Sequence, residues 1–253
     1  MYYSVCVPAV FGDLPVHRAL ERIRATGAKV YEFWSWWDQD VDAIVAAQCE
    51  TSLKCAALCT YFIPLTEPAR REEYIDGLKK SIAVAKRLGC PTLISQLGND
   101  TGFPRVEQHQ SIVEGLRACA PLLEDAEITL TIEPLNTLVN HPGYYLTSSA
   151  EGFEIVREVN SPRIRLLFDI YHQQITEGNL IANLTAHAPL LGHIHAAGNP
   201  GRHELLGENE IHYPSVFAAL KRTGYDKAVG LEYFPVGDPD ESLKQLLKAM
   251  PLD

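Results

Sequence analysis

The sequence Phe168-Asp169-Ile170-Tyr171-His172 ends an apolar run with a carboxylate and places a histidine three residues later. Eight apolar runs of this kind occur along the chain, and the last four end in residues that can ligate a metal. The other three of these read Ile132-Glu133-Pro134-Leu135-Asn136, His193-Ile194-His195 and Leu231-Glu232-Tyr233. Continuous apolar runs are typical of parallel strands that are covered on both faces. A carboxylate has no structural use at the tip of such a strand, so the four tips indicate a shared purpose.

The apolar runs predict eight strands that alternate with helical patterns. Strands spaced by roughly 30 residues indicate βα units, and 253 residues match one (β/α)₈ barrel of about 250 residues. An open doubly wound sheet is the alternative, but its Gly-x-Gly-x-x-Gly turn is missing after the first strand. We therefore predict an α/β fold, a single-domain TIM barrel over residues 1–253. The predicted strands are Tyr3–Val7, Lys29–Phe33, Lys54–Thr60, Thr92–Gln96, Thr129–Glu133, Arg165–Asp169, Leu191–His195 and Ala228–Glu232.

Five helical segments are marked by their ends or by their pattern. Three of them end at a glycine, which is typical of a helix C-cap. They are Leu14 to Thr26 before Gly27, Arg71 to Leu88 before Gly89 and Phe217 to Thr223 before Gly224. The others run from the Ser/Thr cluster at residue 147 to 159 and from 240 to 249. Three long segments, Leu97–Pro104, Leu135–Leu146 and Ala196–Pro214, each follow a strand. In a barrel all three lie on the C-terminal face, where active sites form.

Composition and charge limit the classes of partner. Apolar residues make up 46% and charged residues 21% of the chain, as in an ordinary soluble domain. The net charge of −10 argues against a nucleic-acid partner, which needs a basic face. The six cysteines form no Cys-x-x-Cys pair, and Cys55 and Cys59 lie within a strand-like run as small buried thiols. With no signal peptide and no long apolar segment, we expect a cytoplasmic enzyme and no membrane span.

Glu133, Asp169, His195 and Glu232 take the last positions of the predicted strands five to eight. Side by side, these strands bring the four side chains to one point, where a divalent metal explains their common placement. Carboxylate and imidazole ligands suit Mn²⁺, Mg²⁺, Co²⁺ or Zn²⁺ better than a thiophilic metal. The alternative is that each residue pairs with a nearby Arg or Lys, but the same tips carry no such residue.

Four further side chains lie near these tips. His172 either binds a substrate hydroxyl or supports the metal from outside, or it is a helix-start histidine that faces solvent. Between His193 and His195, we expect the first to face the helical layer and the second to be the ligand. Glu32 precedes the aromatic run Phe33-Trp34-Ser35-Trp36-Trp37 and has the position to bond a pocket residue. Indoles at a strand tip wall a sugar pocket, pack a helix on the barrel or form an oligomer interface. We expect Trp34 in the pocket, since sugar C–H faces pack on indoles.

Arg202 lies in the loop Gly198-Asn199-Pro200-Gly201-Arg202-His203-Glu204. Its guanidinium suits a carboxylate or a polyol through forked hydrogen bonds. A salt bridge to Glu204 or Glu208 is the alternative.

Over its full length the chain resembles the hydroxypyruvate isomerase family of the xylose-isomerase-like TIM barrels, with the ketose 3-epimerases as cousins. Five ordered motifs carry the resemblance. They are Glu133-Pro134-Leu135-Asn136 with Pro142-Gly143-Tyr144-Tyr145-Leu146, Phe168-Asp169-Ile170-Tyr171-His172, Gly192-His193-Ile194-His195, Asn199-Pro200-Gly201-Arg202 with Gly207 and Glu210-Ile211, and Gly230-Leu231-Glu232-Tyr233.

The resemblance implies a metal held by Glu133, Asp169, His195 and Glu232, with the two glutamates as the acid–base pair. Those glutamates would move a proton through a metal-stabilised enediolate of a small sugar or hydroxy-keto acid, while His172 and Arg202 contact the substrate. Two features divide isomerase from epimerase. The histidine at 195 is the epimerase choice where hydroxypyruvate isomerases often have glutamine, whereas Val139 replaces a carboxylate that epimerases carry.

Other functions remain open at this point. A dehydratase acting on a cyclic polyol would use the same metal and base. An endonuclease of this fold that cuts abasic DNA needs a larger metal cluster and a basic groove. A carbohydrate-binding barrel without catalysis does not need the intact glutamate pair. Relatives commonly form dimers or tetramers, so we also expect a homo-oligomer.

Overall fold

The computed structural model describes residues 1–252, and Asp253, the last residue of the predicted domain, lies outside the described residues. Eight parallel strands form a closed barrel in which each strand pairs with the next and the eighth pairs with the first. The TIM-barrel prediction is therefore confirmed. Each predicted strand boundary lies within one residue of the observed one. The strands are β1 (Tyr2–Cys6), β2 (Val30–Phe33), β3 (Lys54–Cys59), β4 (Thr92–Ser95), β5 (Thr129–Ile132), β6 (Ile164–Asp169), β7 (Leu191–Ala196) and β8 (Ala228–Leu231).

Helices lie between the strands. They are α1 (Val7–Phe11), α2 (Val16–Thr26), α3 (Val41–Thr51), α4 (Arg71–Leu88), α5 (Arg105–Ala126), α6 (Ser149–Val159), α7 (Ile170–Thr176), α8 (Leu180–Ala186), α9 (Tyr213–Arg222) and α10 (Pro239–Ala249). All five predicted helices are present, and Gly27 caps α2 in the left-handed conformation, as expected. Five helices were not predicted. Helices α1, α7 and α8 are only five to seven residues long, and the apolar residues of α3 and α5 are not confined to one face. No helix of residues 1–252 has both the length and the apolar character needed to cross a bilayer.

The main apolar core lies between the barrel and its helices, and a second small cluster of Ala57, Cys59, Ile94 and Leu167 is separate from it. Leu167 is two residues before Asp169 on β6, and alternation along a strand puts both on the same face. Cys55 and Cys59 are buried, as predicted.

The long segments after β4 and β5 are joined to each other above the strand ends. The backbone N–H of Tyr145 donates to the carbonyl of Gly98, and that of Asp100 donates to the carbonyl of Gly143. The predicted placement of the long loops at the C-terminal face is thus confirmed. Polar side chains at the strand tips are covered by these loops and are removed from bulk solvent.

Candidate metal centre and active site

The four predicted metal ligands meet at the C-terminal mouth of the barrel. Asp169 ends β6 and pairs in register with His195 near the end of β7, while Glu133 and Glu232 directly follow β5 and β8. All four are buried, and one donor atom of each lies within 4.8 Å of those of the others. The strand register of a closed parallel barrel accounts for this convergence.

His195 carries the clearest sign that a cation belongs here. Its Nδ1 lies 3.1 Å from Oε2 of Glu232 and 3.4 Å from Oε1 of Glu133. Neither Nδ1 nor Nε2 of this buried ring makes a hydrogen bond within residues 1–252. An imidazole nitrogen surrounded by carboxylates fits a divalent cation, because the cation offsets charges that would otherwise repel.

Burial and neighbouring charges shift the ionisation of these groups in opposite directions. Burial alone would lower the pKa of His195, but Glu232 and Glu32 outweigh it and raise that pKa well above its usual range. Burial would raise the pKa of Glu232, yet Arg202 and His195 hold it well below the usual range. For Asp169 burial prevails over the attraction of Arg202, so its pKa is raised.

Arg202 reaches the site from the loop after β7. Its guanidinium is ion-paired with Glu232 and lies 3.8 Å from Oδ2 of Asp169. It also stands 5.3 Å from the ring centroid of Tyr171 and 5.6 Å from that of Phe234. The expected alternative, a pair with Glu204 or Glu208, is not what the structure shows. The strand tips themselves carry no Arg or Lys, as expected, but the loop after β7 brings Arg202 to Glu232 and Asp169.

Trp34 lies at the site, as predicted. Its indole Nε1 donates a 2.7 Å hydrogen bond to Oε1 of Glu232, so both carboxylate oxygens of Glu232 are held. The other two tryptophans lie apart from the ligands. Trp37 stacks on Tyr61 with ring centroids 4.7 Å apart, and Trp36 donates to Ser81 on α4.

The expectation that His193 faces the helical layer was wrong. His193 and His195 are two residues apart, and strand alternation therefore puts them on the same face. Glu32 on β2 contacts both, with Nε2 of His193 at 3.0 Å and Nε2 of His195 at 2.8 Å. Burial would raise the pKa of Glu32, but the two imidazoles outweigh it and lower the pKa to about 2. Its sequence position suggested one contact with a pocket residue, and in the structure Glu32 contacts two, His193 and His195.

His172 is fully buried near the start of α7, so the solvent-facing alternative was wrong. Asp169 caps that helix, its Oδ1 accepting the backbone N–H of His172 at 3.1 Å. Burial, reinforced by the charge of Arg202, lowers the pKa of His172 to about 3. Asn136, which was given no role from its sequence position, touches the far side of the ring. Its place directly after Glu-Pro-Leu at a strand tip is the signal that could have found it.

The chain is similar to known proteins along most of its length. The family model described as xylose isomerase-like TIM barrel matches residues 20–251. A human protein provisionally named hydroxypyruvate isomerase is 34% identical over 184 residues, which is 71% of this chain but 66% of the relative. The hydroxypyruvate isomerase of Escherichia coli strain K12 is 28% identical over 254 residues, which is 96% of both chains.

Solved structures share the whole fold. One described as AP endonuclease, family 2, from Brucella melitensis has a TM-score of 0.93 at 27% identity and covers 98% of this chain and 99% of its own. The D-allulose 3-epimerase of Methylomonas sp., solved with D-allulose, has a TM-score of 0.85 at 22% identity, with 99% and 96% covered. The matched family model and the closed barrel lead to one conclusion: the chain belongs to the xylose isomerase-like TIM barrel family.

Proposed function

We propose that this protein is a metal-dependent isomerase of small hydroxy-keto acids or sugars, of the hydroxypyruvate isomerase type. The observation that carries this function is the pair of buried glutamates, Glu133 and Glu232, whose carboxylates lie 3.4 and 3.1 Å from Nδ1 of His195. Relatives named hydroxypyruvate isomerase and 2-oxo-tetronate isomerase support the same class. Both reactions need a proton moved next to a carbonyl group.

Glu133, Asp169, His195 and Glu232 would hold the cation, with Mn²⁺, Mg²⁺ or Co²⁺ preferred and Zn²⁺ also suited to the donors. When bound, a divalent cation supplies Lewis-acid stabilisation for negative charge that develops on neighbouring carbonyl and hydroxyl oxygens. Glu32 contacts Nε2 of His195 and so leaves Nδ1 directed at the other three ligands.

The glutamates would perform the proton transfer. Glu232 is oriented by Trp34 on one oxygen and by Arg202 on the other, and Glu133 approaches from β5, three strands away around the barrel. One carboxylate takes the proton from the carbon next to the carbonyl, and the other returns it. Covering loops and buried side chains keep bulk water from the carbanion while this occurs.

A ketose 3-epimerase is the second candidate, and His195 is the residue that favours it. Returning the proton to the neighbouring carbon isomerises the substrate, whereas returning it to the opposite face of the same carbon inverts that carbon. Val139 favours the isomerase. It is 64% exposed on the loop after β5, where epimerases of this superfamily carry a carboxylate that this chain lacks.

Proton exchange in D₂O tests the function directly. Hydroxypyruvate and a panel of tetroses to hexoses are incubated with the protein and Mn²⁺, Mg²⁺ or Co²⁺, and deuterium next to the carbonyl is followed by NMR. Glu133→Gln and Glu232→Gln are each expected to lower turnover by at least about a hundredfold, as for positioned acid–base groups. Glu208→Gln removes the same charge from an exposed position and serves as the control. Near-normal turnover in either active-site variant would overturn the assignment.

An abasic-site nuclease is a further candidate, because one structural neighbour is named as an AP endonuclease. The net charge of −10 opposes it, because a nucleic-acid partner needs a basic face. Incision of an abasic duplex, without deuterium exchange into any carbonyl compound, would replace the isomerase proposal. A polyol dehydratase would instead release water from its substrate.

We further propose a small-molecule substrate, a reducing cytoplasmic setting that suits the six free cysteines, and a homo-oligomer.

A further inference from the structure

One polar atom of the His172 side chain, Nε2, makes no hydrogen bond within the described residues. The side chain has no exposed surface. The nearest carboxylate oxygen, Oδ2 of Asp169, is 3.6 Å away, which is beyond hydrogen-bond distance. A buried polar group without a partner is costly, on the order of 1–3 kcal/mol. Such a group at the mouth of an enzyme barrel points to a ligand that completes it.

The opposite ring nitrogen shows what Nε2 offers. Nδ1 of His172 lies 3.3 Å from the backbone nitrogen of Asn136, whose N–H donates to it, and 2.6 Å from the side-chain Nδ2 of the same residue. A backbone N–H can only donate, so Nδ1 must be the accepting, unprotonated nitrogen. The single proton of the neutral ring is then on Nε2.

The orientation of the Asn136 amide agrees with this assignment. Its Oδ1 accepts from the backbone N–H of Val139 at 2.9 Å and of Asn140 at 3.3 Å. The NH₂ group is therefore turned the other way, towards His172 and towards Oδ1 of Asn140 at 3.1 Å. Oδ1 of Asn140 also accepts from the hydroxyl of Tyr171 at 2.9 Å. Apart from Nε2–H of His172, every donor in this network has an acceptor, and the reverse orientation of the amide would break all four bonds that the amide makes.

We infer that Asn136 is a positioning residue that fixes His172 as the Nε2–H tautomer, so that the substrate contact expected of His172 is a donated hydrogen bond to an accepting oxygen. That oxygen is a carbonyl or enediolate oxygen, and this assignment of the acceptor rests on the proposed isomerase function. A neutral imidazole donor stabilises such an oxygen without contributing a net positive charge beside Arg202.

Nitrogen NMR of protein labelled with ¹⁵N-histidine tests the tautomer. The spectrum is recorded without metal or substrate, and the His172 signals are assigned by their loss in His172→Gln. We expect the proton on Nε2. A wild-type spectrum with the proton on Nδ1 overturns the inference, whatever the variants do. Because neither metal nor substrate is needed, this result does not depend on whether the proposed activity is found.

Two matched variants show whether Asn136 sets the tautomer. Asn136→Asp replaces the donating amide with an acceptor, so Nδ1 is expected to gain a proton. Asn140→Asp adds the same charge four residues away and keeps the acceptor for Tyr171 and Asn136, so the Nε2–H tautomer should persist. A folded Asn136→Asp protein with an unchanged tautomer contradicts the role of Asn136. A changed tautomer in the Asn140 variant contradicts it too, because added charge alone would then suffice.

The donated bond is tested by a conservative pair. With a substrate from the exchange assay, His172→Leu is expected to lower kcat by about a hundredfold, the usual loss for one oxyanion donor. His172→Gln keeps an N–H donor and is expected to recover at least about tenfold of that loss. Equal kcat values in the two variants would show that the N–H contributes nothing.

Discussion

Two buried histidines at the barrel mouth have opposite surroundings. His195 lies near the end of β7, and His172 lies in α7, just past the end of the neighbouring strand β6. His195 is surrounded by Glu32, Glu133 and Glu232, and its pKa is raised. His172 lies beside the amide of Asn136 and the charge of Arg202, and its pKa is lowered to about 3. Each ring is held at one nitrogen and directs the other at the site. The partner on the far side of each ring therefore sets whether the imidazole suits a cation or suits the part of a neutral hydrogen-bond donor.

Removing each imidazole in turn tests most directly whether the two histidines have separate roles. His195→Ala should weaken Mn²⁺ binding by at least about a hundredfold, since a ligand is lost, whereas His172→Ala should stay within about threefold of wild type. Calorimetric titration of metal-free protein measures both. Equal losses in the two variants would mean that the histidines do not have separate roles.

A smaller effect is expected from changing the carboxylate behind His195. Glu32→Gln should weaken Mn²⁺ binding by about 10- to 100-fold, because the ring loses the charge that orients Nδ1 towards the metal. Thr131→Val, also buried in the barrel, removes a hydrogen bond to the carbonyl of Leu93 and is the control. The same titration is used, with circular dichroism to verify folding. If Glu32→Gln lost no more Mn²⁺ affinity than the control variant, Glu32 would have only a structural role.

Gly230 on β8 gives a steric test of the same contact. A Cβ at this position would overlap the Glu32 carboxylate and lie 2.6 Å from Cδ2 of His195. Gly230→Ala should therefore weaken metal binding by about tenfold and lower the free energy of unfolding by about 1–3 kcal/mol. Gly237→Ala adds the same methyl group where nothing lies within 4 Å. Urea unfolding and metal titration measure both variants. Equal stability and equal metal affinity in the two variants would show that a Cβ at residue 230 does not disturb Glu32 and His195.

Metal removal gives the smallest expected change. A cation at 100 times its Kd stabilises the folded state by about 2.7 kcal/mol, which for a chain of this size raises Tm by roughly 5 to 10 °C. Chelation should reverse that rise in wild type and in His172→Ala, whereas a hundredfold weaker site leaves His195→Ala with only about 0.4 kcal/mol to lose. Thermal melting with and without EDTA measures the difference, and a metal-induced rise in His195→Ala as large as that of wild type would place the ion elsewhere.

Much of the site could be predicted because its members stand at the ends of local patterns. Glu133, Asp169, His195 and Glu232 each close an apolar run, and the ends of parallel strands meet at one edge. The partners of these residues could not be predicted in the same way. Glu32 and His193 are 161 residues apart, and Arg202 arrives from a loop with no periodic pattern. The mistaken placement of His193 was different, since strand alternation alone would have corrected it.

The barrel and the residue types at its mouth follow from the sequence alone, because apolar runs, helix caps and strand spacing act over short distances along the chain. The folded barrel sets which nitrogen of each imidazole faces the site and whether Glu32 or Asn136 lies behind it. Hydrogen-bond partners are selected by distance and angle across the closed barrel, and those are fixed by the register of strands far apart in sequence.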